Sequence, residues 1–296
     1  MRIGITLRSL DPGPLVIPEQ YNSPVAGFIY NHLPEDGAAT LHNEGYTGAP
    51  EHLRGFVFSK MHGRFKRRDG TLSFAPPRGQ KRGSATFYIS SVEAAMLAEL
   101  WSRLFPVAGK KPEKTHLGGR VCEVAEVFEV PGPLLPDSSP AGGVTARALS
   151  PVVSQVPASK RERSEGRTRY YEPGDGSYEA ALLSNLEFKA RVLNWCGGSY
   201  GPEPEGGRRI EVTEGTARSR GVMIKGYFLV IGYTGEFQLR LPPALLELAY
   251  LTGLGARNAQ GFGMVDYPLL RGKGAHHTVS HKPAGSREPE MAAQLS

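Results

Sequence analysis

Residues 85–104, ATFYISSVEAAMLAELWSRL, change their period halfway along. Ala85 to Ser90 alternates apolar and polar positions and is rich in residues that suit a pleated surface, so it reads as a half-buried strand. From Ser91-Val92-Glu93 the spacing predicts a helix to about Leu104, with Val92, Ala95, Met96, Glu99 and Leu100 on one packed face. Upstream, Arg2 to Arg8 alternates as a strand, and Pro24 suits a first helical turn with Val25, Phe28, Ile29 and Leu33 at helical spacing behind it. Phe56-Val57-Phe58 reads as a strand, and Arg67-Arg68-Asp69-Gly70 as a hairpin turn, because Asp-Gly supplies the positive backbone angles such turns need. Downstream, Val121 to Val130 alternates again. The order is strand, helix, strand, strand, helix, strand, which is the ferredoxin-like arrangement.

The second half repeats that order without a visible sequence repeat. Ala146 to Val153 is strand-like, and Ser177 to Trp195 is helical with Ala181, Leu182, Leu186, Ala190 and Leu193 inward. Strands are predicted over Arg209–Thr216, Val222–Val230, Glu236–Leu241 and Gly263–Tyr267, with a helix from Pro242-Pro243 to Leu251. The fold class is therefore α+β, with tandem ferredoxin-like (RRM-like) domains, antiparallel sheets and a C-terminal glycine-rich loop. The expected boundaries are 1–130 for the first domain, a Pro- and Ser-rich linker at 131–143, 144–270 for the second domain, and a polar tail at 271–296.

Composition removes several function classes. Gly 37 and Pro 24 in 296 residues mean many turns, but 40% hydrophobic residues are enough for a packed core. The apolar runs fall far short of the roughly 20 residues a membrane span needs. The amino terminus, MRIGITLRSLDPG, lacks the continuous apolar core of a secretory signal, so a cytoplasmic protein is expected. Cys122 and Cys196 stand alone, which fits neither a disulfide framework nor a thiolate zinc site. Glu123, Glu126 and Glu129 form the tight acidic set, yet a spacing of three on a strand sends successive carboxylates to opposite faces. His276, His277 and His281 fall in the polar tail. No metal and no cofactor is expected.

Charge is uneven along the chain, whose formal net is +6. Arg54, Lys60, Arg64, Lys66, Arg67, Arg68, Arg78, Lys81 and Arg82 follow one another with Asp69 as the single acid among them. Such a block repels itself unless a polyanion neutralises it, and a phosphate backbone is the commonest partner; a solvated loop is the alternative. Arg64, Lys66, Arg67, Arg68, Arg78, Lys81 and Arg82 are the candidate phosphate contacts. Phe87 and Tyr88 are adjacent on a strand, so one faces the core and the other is free to stack a base.

His42 lies between the first helix and this basic stretch, twelve residues after Tyr30 and twelve before Arg54. An imidazole, a phenol and a guanidinium beside a polyanion groove form a usable set for RNA cleavage. The imidazole can move the proton of a ribose 2′-hydroxyl or of a leaving 5′-oxygen, and the guanidinium can stabilise charge on the phosphorus oxygens. Near the carboxyl end, Gly253-Leu254-Gly255-Ala256-Arg257-Asn258-Ala259-Gln260-Gly261-Phe262-Gly263 follows a helix and precedes a strand, the reverse of a dinucleotide fingerprint. Its glycines permit a tight loop that approaches either phosphates or a domain interface. Gly253, Gly255, Arg257, Asn258, Gly261 and Gly263 are the candidate RNA contacts there.

This loop resembles the glycine-rich signature of the CRISPR-associated repeat-processing endoribonucleases, the Cas six family. Gly27-Phe28-Ile29-Tyr30-Asn31 and Leu41-His42 resemble that family's first-helix tyrosine and catalytic histidine. Arg54-Gly55-Phe56-Val57-Phe58-Ser59 resembles its basic residue and aromatic strand, and Leu149-Ser150-Pro151-Val152 its second-domain opening strand. The resemblance implies a metal-independent enzyme that cuts CRISPR repeat RNA in a precursor transcript, leaving a 5′-hydroxyl and a 2′,3′-cyclic phosphate. It implies His42 as general acid or base, Tyr30 as its assistant and Arg54 as transition-state stabiliser. Many family members carry lysine at that last place, and Lys60 is the other basic candidate. The implied partners are precursor and mature crRNA, with subunits of an interference complex as recipients of the product. A homodimer is compatible with the reading, and the alternative function is a non-catalytic RNA-binding subunit of such a complex.

Overall fold

The computed structural model describes residues 1–33, 53–105, 114–156, 168–224, 226 and 228–270. The expected catalytic His42 and the tail from 271 lie outside the described residues. The first half contains β1 (Arg2–Arg8), β2 (Leu15–Pro18), α1 (Asn22–Asn31), β3 (Phe56–Phe58), β4 (Phe65–Arg68), β5 (Thr71–Phe74), β6 (Ser84–Ser91), α2 (Ala94–Leu104), β7 (Lys114–Leu117) and β8 (Arg120–Glu129). The main sheet runs β3-β6-β1-β8-β7, all neighbours antiparallel. Without the edge strand β7 this is the ferredoxin order, with the first and third strands central.

Period decides the faces. Ile3, Ile5 and Leu7 of β1 and Ala85, Phe87 and Ile89 of β6 bury completely or nearly so against Val25, Phe28 and Ile29 of α1 and Leu97 and Leu100 of α2. Each large apolar side chain so buried contributes about 1.5–3 kcal/mol. The α2 face differs from the expected one: Met96, Leu97, Leu100 and Leu104 are inward, while Ala95 and Glu99 are exposed. The helix starts at Ala94 because Ser91 is still in β6, where its hydroxyl donates to Gly55 O and accepts from Glu93 N. Two elements are absent from the sequence reading: β2, which joins β5 and β4 in a separate three-stranded sheet, and β7, which forms a hairpin with β8. The β4–β5 turn is as expected, with Asp69 (φ 47°) and Gly70 (φ 69°) both left-handed.

The second half contains β9 (Val144–Ala148), α3 (Ser177–Val192), β10 (Arg209–Val212), β11 (Arg218–Ile224), β12 (Phe228–Thr234), β13 (Glu236–Arg240), α4 (Pro243–Thr252) and β14 (Val265–Asp266). Its sheet runs β10-β13-β9-β14, again the ferredoxin order. The single strand expected at Val222–Val230 is instead the top of a hairpin, β11 with β12, because the chain reverses at Gly226 with φ +81°. The strand expected over Ala146–Val153 ends at Ala148; Leu149 and Ser150 then donate their N–H groups to Met264 O.

The two sheets are locked together by a buried arginine. Arg2 is 1% exposed; its Nε donates to Ser90 Oγ (2.7 Å), and its Nη2 donates to Tyr250 O (2.9 Å) and Val265 O (2.8 Å). The guanidinium also lies 3.6 Å from the Tyr250 ring centroid and 3.5 Å from Asp266 Oδ1. One residue of the first strand thereby caps the last turn of α4 in the other domain. Among the described residues no helix is long and apolar enough to cross a membrane.

Candidate functional site

A cavity of about 350 Å3 opens between the two halves. Its walls are Arg54 and Phe56 where the chain enters β3, Asn185 and Lys189 of α3, Thr252 at the end of α4, and the glycine-rich loop.

The glycine loop is built by packing. A Cβ on Gly263 would lie 2.0 Å from Leu254 O at a backbone φ of +79°, and one on Gly261 would strike the Phe58 ring at 2.5 Å and Asn22 Nδ2 at 2.6 Å. Only glycine allows the close approach of β3 and α1 from the other domain. Asn258 staples the loop from within, its Nδ2 donating to Leu254 O and Phe262 O. The N–H groups of Gly253, Gly261 and Gly263 donate to Ala249 O, Asn258 O and Pro151 O, and Gly255 forms a bridge with Val153. The loop thus sits at a domain interface, and Arg257 is its charged member. Arg257 adopts a left-handed φ of +62°, a cost of order 1–3 kcal/mol in a non-glycine residue. Its guanidinium lies 4.8 Å from the Phe228 ring centroid and its Nη1 reaches Gln260 Oε1, while Nε is buried without a hydrogen-bond partner.

Tyr30 and Arg54 lie near enough for the charge of one to act on the other. Tyr30, in the last turn of α1, packs edge-on against Phe56 with 5.9 Å between ring centroids. Burial pushes its phenol above the ordinary value, and the positive charge of Arg54 pulls the other way. A phenol held neutral is a proton donor rather than a base at neutral pH. Lys60 is half-buried near Arg220 of β11; burial first, then that neighbouring cation, lowers its pKa.

The basic block divides in two. Gly55, next to Arg54, meets the Ser91 end of β6, whereas Arg82 leads into its Ser84 end, ~23 Å away at about 3.3 Å per residue. At the far end Arg64, Lys66, Arg67, Arg68, Arg78 and Lys81 are exposed around the β4–β5 hairpin. Arg67 pairs with Glu19 at 3.1 Å and Arg68 with its neighbour Asp69 at 3.2 Å. Arg82 is held by Glu123 at 2.9 Å, a carboxylate it shares with Arg8. Phe87 is in the core, and Tyr88 is on the opposite, open face with His62 and Phe128, ring centroids 5.2 and 6.4 Å away.

Sequence reasoning misses Lys189. Its side chain is 2% exposed, and its Nζ donates to Gly253 O (2.9 Å) and Gly255 O (3.1 Å). Burial lowers its pKa to about 7. The available signal is its spacing: Leu182, Leu186 and Lys189 share one stripe of α3, so the lysine has to point inward. Asn185 carries a buried Oδ1 with no hydrogen-bond partner and also lines the cavity. Among the described residues no three His, Cys, Asp or Glu side chains converge as metal ligands would.

Residues 136–267 match the family described as CRISPR associated protein Cas6, C-terminal. A search of curated proteins returns no match. Among solved structures, the fold is similar to a Cas6-related protein from Pyrococcus furiosus, at 18% identity and TM-score 0.66 over 90% of this chain and 97% of that one. A RAMP protein described as binding different RNA substrates aligns at 19% identity and TM-score 0.64, over 90% and 98% of the two chains. A Cas6 product complex aligns at 20% identity and TM-score 0.56, over 90% and 99%.

Proposed function

We propose that this chain is a member of the Cas6 family of CRISPR-associated proteins, whose C-terminal family model its residues 136–267 match, and a metal-independent endoribonuclease that cuts repeat RNA in a precursor CRISPR transcript. The observation that supports the reading is that Arg54, on the wall of the interdomain cavity, lies near enough to Tyr30 for its charge to pull the phenol's pKa downward, the two residues flanking the connection that contains His42 in the sequence. The RNA substrates named for the RAMP relative and the product bound to the Cas6 relative support RNA as the ligand.

In this reading the ribose 2′-oxygen attacks the adjacent phosphorus while His42 moves the proton, either from the 2′-hydroxyl or to the departing 5′-oxygen. Arg54 stabilises the charge that develops on the phosphorus oxygens, and its fixed protonation keeps it from serving as a proton donor. Tyr30, held neutral, donates a hydrogen bond within the same site. The products are a 2′,3′-cyclic phosphate and a 5′-hydroxyl. Phosphate contacts are assigned to Arg64, Lys66, Arg67, Arg68, Arg78, Lys81 and Arg257, and base stacking to Tyr88 on the open face of the first sheet.

The test is cleavage of labelled repeat RNA in EDTA, beside the same RNA with a 2′-deoxy sugar at the scissile position. Cleavage of the first alone, lost in His42→Ala with binding retained, is the expected result. Tight binding without cleavage by the wild-type chain would sink the enzyme reading and leave an RNA-holding subunit.

A further inference from the structure

Lys189 carries a buried amine whose hydrogen bonds, among the described residues, go to two neutral carbonyls. The carboxylates of its own helix are engaged elsewhere: Glu187 with Arg208 at 3.0 Å, and Glu179 with Gly174 N. An uncompensated buried charge costs several kcal/mol and is retained where something repays it. The groups facing Lys189 across the cavity deepen the puzzle. Arg54 faces it from the entry to β3 and Arg257 from the glycine loop, while α4 contributes Thr252 and the segment after β9 contributes Gln155. Three lining residues are cationic and none is acidic among the described walls. The buried, unpartnered Nε of Arg257 adds a donor with nothing to give to.

We propose that this cavity is the seat of one phosphodiester of bound RNA, with Lys189 as its buried positioning cation. The seat rests on the RNA-processing reading for its natural ligand, but its chemistry, three cations closing on a tetrahedral oxyanion, stands on the lining itself. A phosphate entering the cavity supplies a counter-charge to Lys189, satisfies Arg257 and fixes the glycine loop through the two carbonyls that Lys189 holds. Because the empty site favours loss of the lysine proton near neutrality and the filled site favours the charged form, phosphate binding takes up a proton. Affinity then falls as pH rises above about 7, by at most about tenfold per unit.

The experiment measures binding of a labelled 2′-O-methyl oligouridylate, which cannot be cut, at fixed ionic strength from pH 6 to 9. Wild type is expected to weaken with pH, and Lys189→Arg, whose charge is fixed, is expected to lose that component while histidine contributions stay common to both. Lys189→Met is expected to bind weakly, with the histidine contributions kept and the lysine component lost. Superimposable profiles for wild type and Lys189→Arg overturn the proposal. Inorganic pyrophosphate provides a second measurement that needs only folded wild-type chain and Arg257→Ala. It is expected to raise the wild-type unfolding temperature more at pH 6 than at pH 9, and to do so less in Arg257→Ala. Equal responses of the two chains at both pH values overturn the seat. RNA cleavage with equal pyrophosphate responses removes the seat and keeps the enzyme; the expected pyrophosphate response without RNA cleavage keeps the seat and removes the enzyme.

Discussion

Replacing Arg2 by Met tests whether the two ferredoxin-like units are held by one side chain. The substitution keeps most of the apolar stem and removes the buried fork. It deletes the donors to Tyr250 O and Val265 O, both at or below 2.9 Å, and the donor to Ser90 Oγ at 2.7 Å. Tyr250 O has no second chance within its helix, because the N–H of Leu254 already donates to Gly263 O. Hydrogen bonds from a charged donor contribute about 1.5–3 kcal/mol each, and removing one partner of a buried ion pair costs about 3–5 kcal/mol. The Asp266 carboxylate is 14% exposed and recovers some hydration, so ~3–5 kcal/mol is expected in total. At roughly 2–4 °C per kcal/mol for a chain of this class, the unfolding temperature falls by about 6–20 °C. Calorimetry measures it, and limited proteolysis between residues 131 and 143 reports loosening of the two units. Arg2→Lys keeps the charge without the fork geometry and falls between the two. An Arg2→Met protein within about 2 °C of wild type, by the same conversion, would show that the interface does not depend on this residue.

Other perturbations follow from the same geometry. Gly263→Ala forces a Cβ against Leu254 O at a left-handed φ and is expected to cost more than ~2 kcal/mol in urea unfolding; an unchanged midpoint would contradict the packing account. Lys189 has a folded pKa below its unfolded value, so the unfolded chain binds more protons between about pH 7 and the ordinary lysine range. Stability of wild type relative to Lys189→Met therefore rises with pH across that window, by up to ~1.4 kcal/mol per unit, and a constant difference would refute the assignment. Neutralising Arg64, Lys66, Arg78 and Lys81 together is expected to weaken RNA binding and to flatten its salt dependence by about 0.7 for each phosphate left unneutralised; a salt slope equal to that of wild type would take the β4–β5 hairpin out of the interface.

Much of the fold is legible in the sequence because period and turn chemistry agree locally. Arg2 to Arg8 alternates in sequence and in the sheet, and Asp69-Gly70 turns as Asp-Gly should. The departures have local causes. Val222 to Val230 is apolar enough to read as one strand, and Gly226 at positive φ makes it two. A helix counted from Ser91 places Ala95 and Glu99 inward, and starting it three residues later rotates the face toward Leu97 and Leu104. The site is less legible. Tyr30 feels the charge of Arg54 across a separation of 24 positions in sequence, but contiguity in sequence hides the fact that Arg54 and Arg82 lie toward opposite ends of β6. Lysine is usually exposed, so Lys189 draws no attention even though its place on the inward stripe is visible.

The β11–β12 hairpin is an insertion between the second and third strands of an otherwise complete ferredoxin unit. Its strands pair with each other and touch the rest at the base through the bridge from Val152 to Tyr233, whose ring packs on the main core, and further out through a small apolar cluster of Val153, Ile224, Val230 and Phe262, the Tyr170 hydroxyl on Leu229 O and the Arg257 guanidinium over Phe228. The main core of the second half is a separate set of residues. Lengthening the hairpin beyond Ile224 and Phe228 therefore disturbs neither core, and doubling its loop costs only about 0.6 kcal/mol in closure entropy. Such a projection is an exchangeable part: its tip can change in length while the packing of the scaffold that carries the cavity stays as it is.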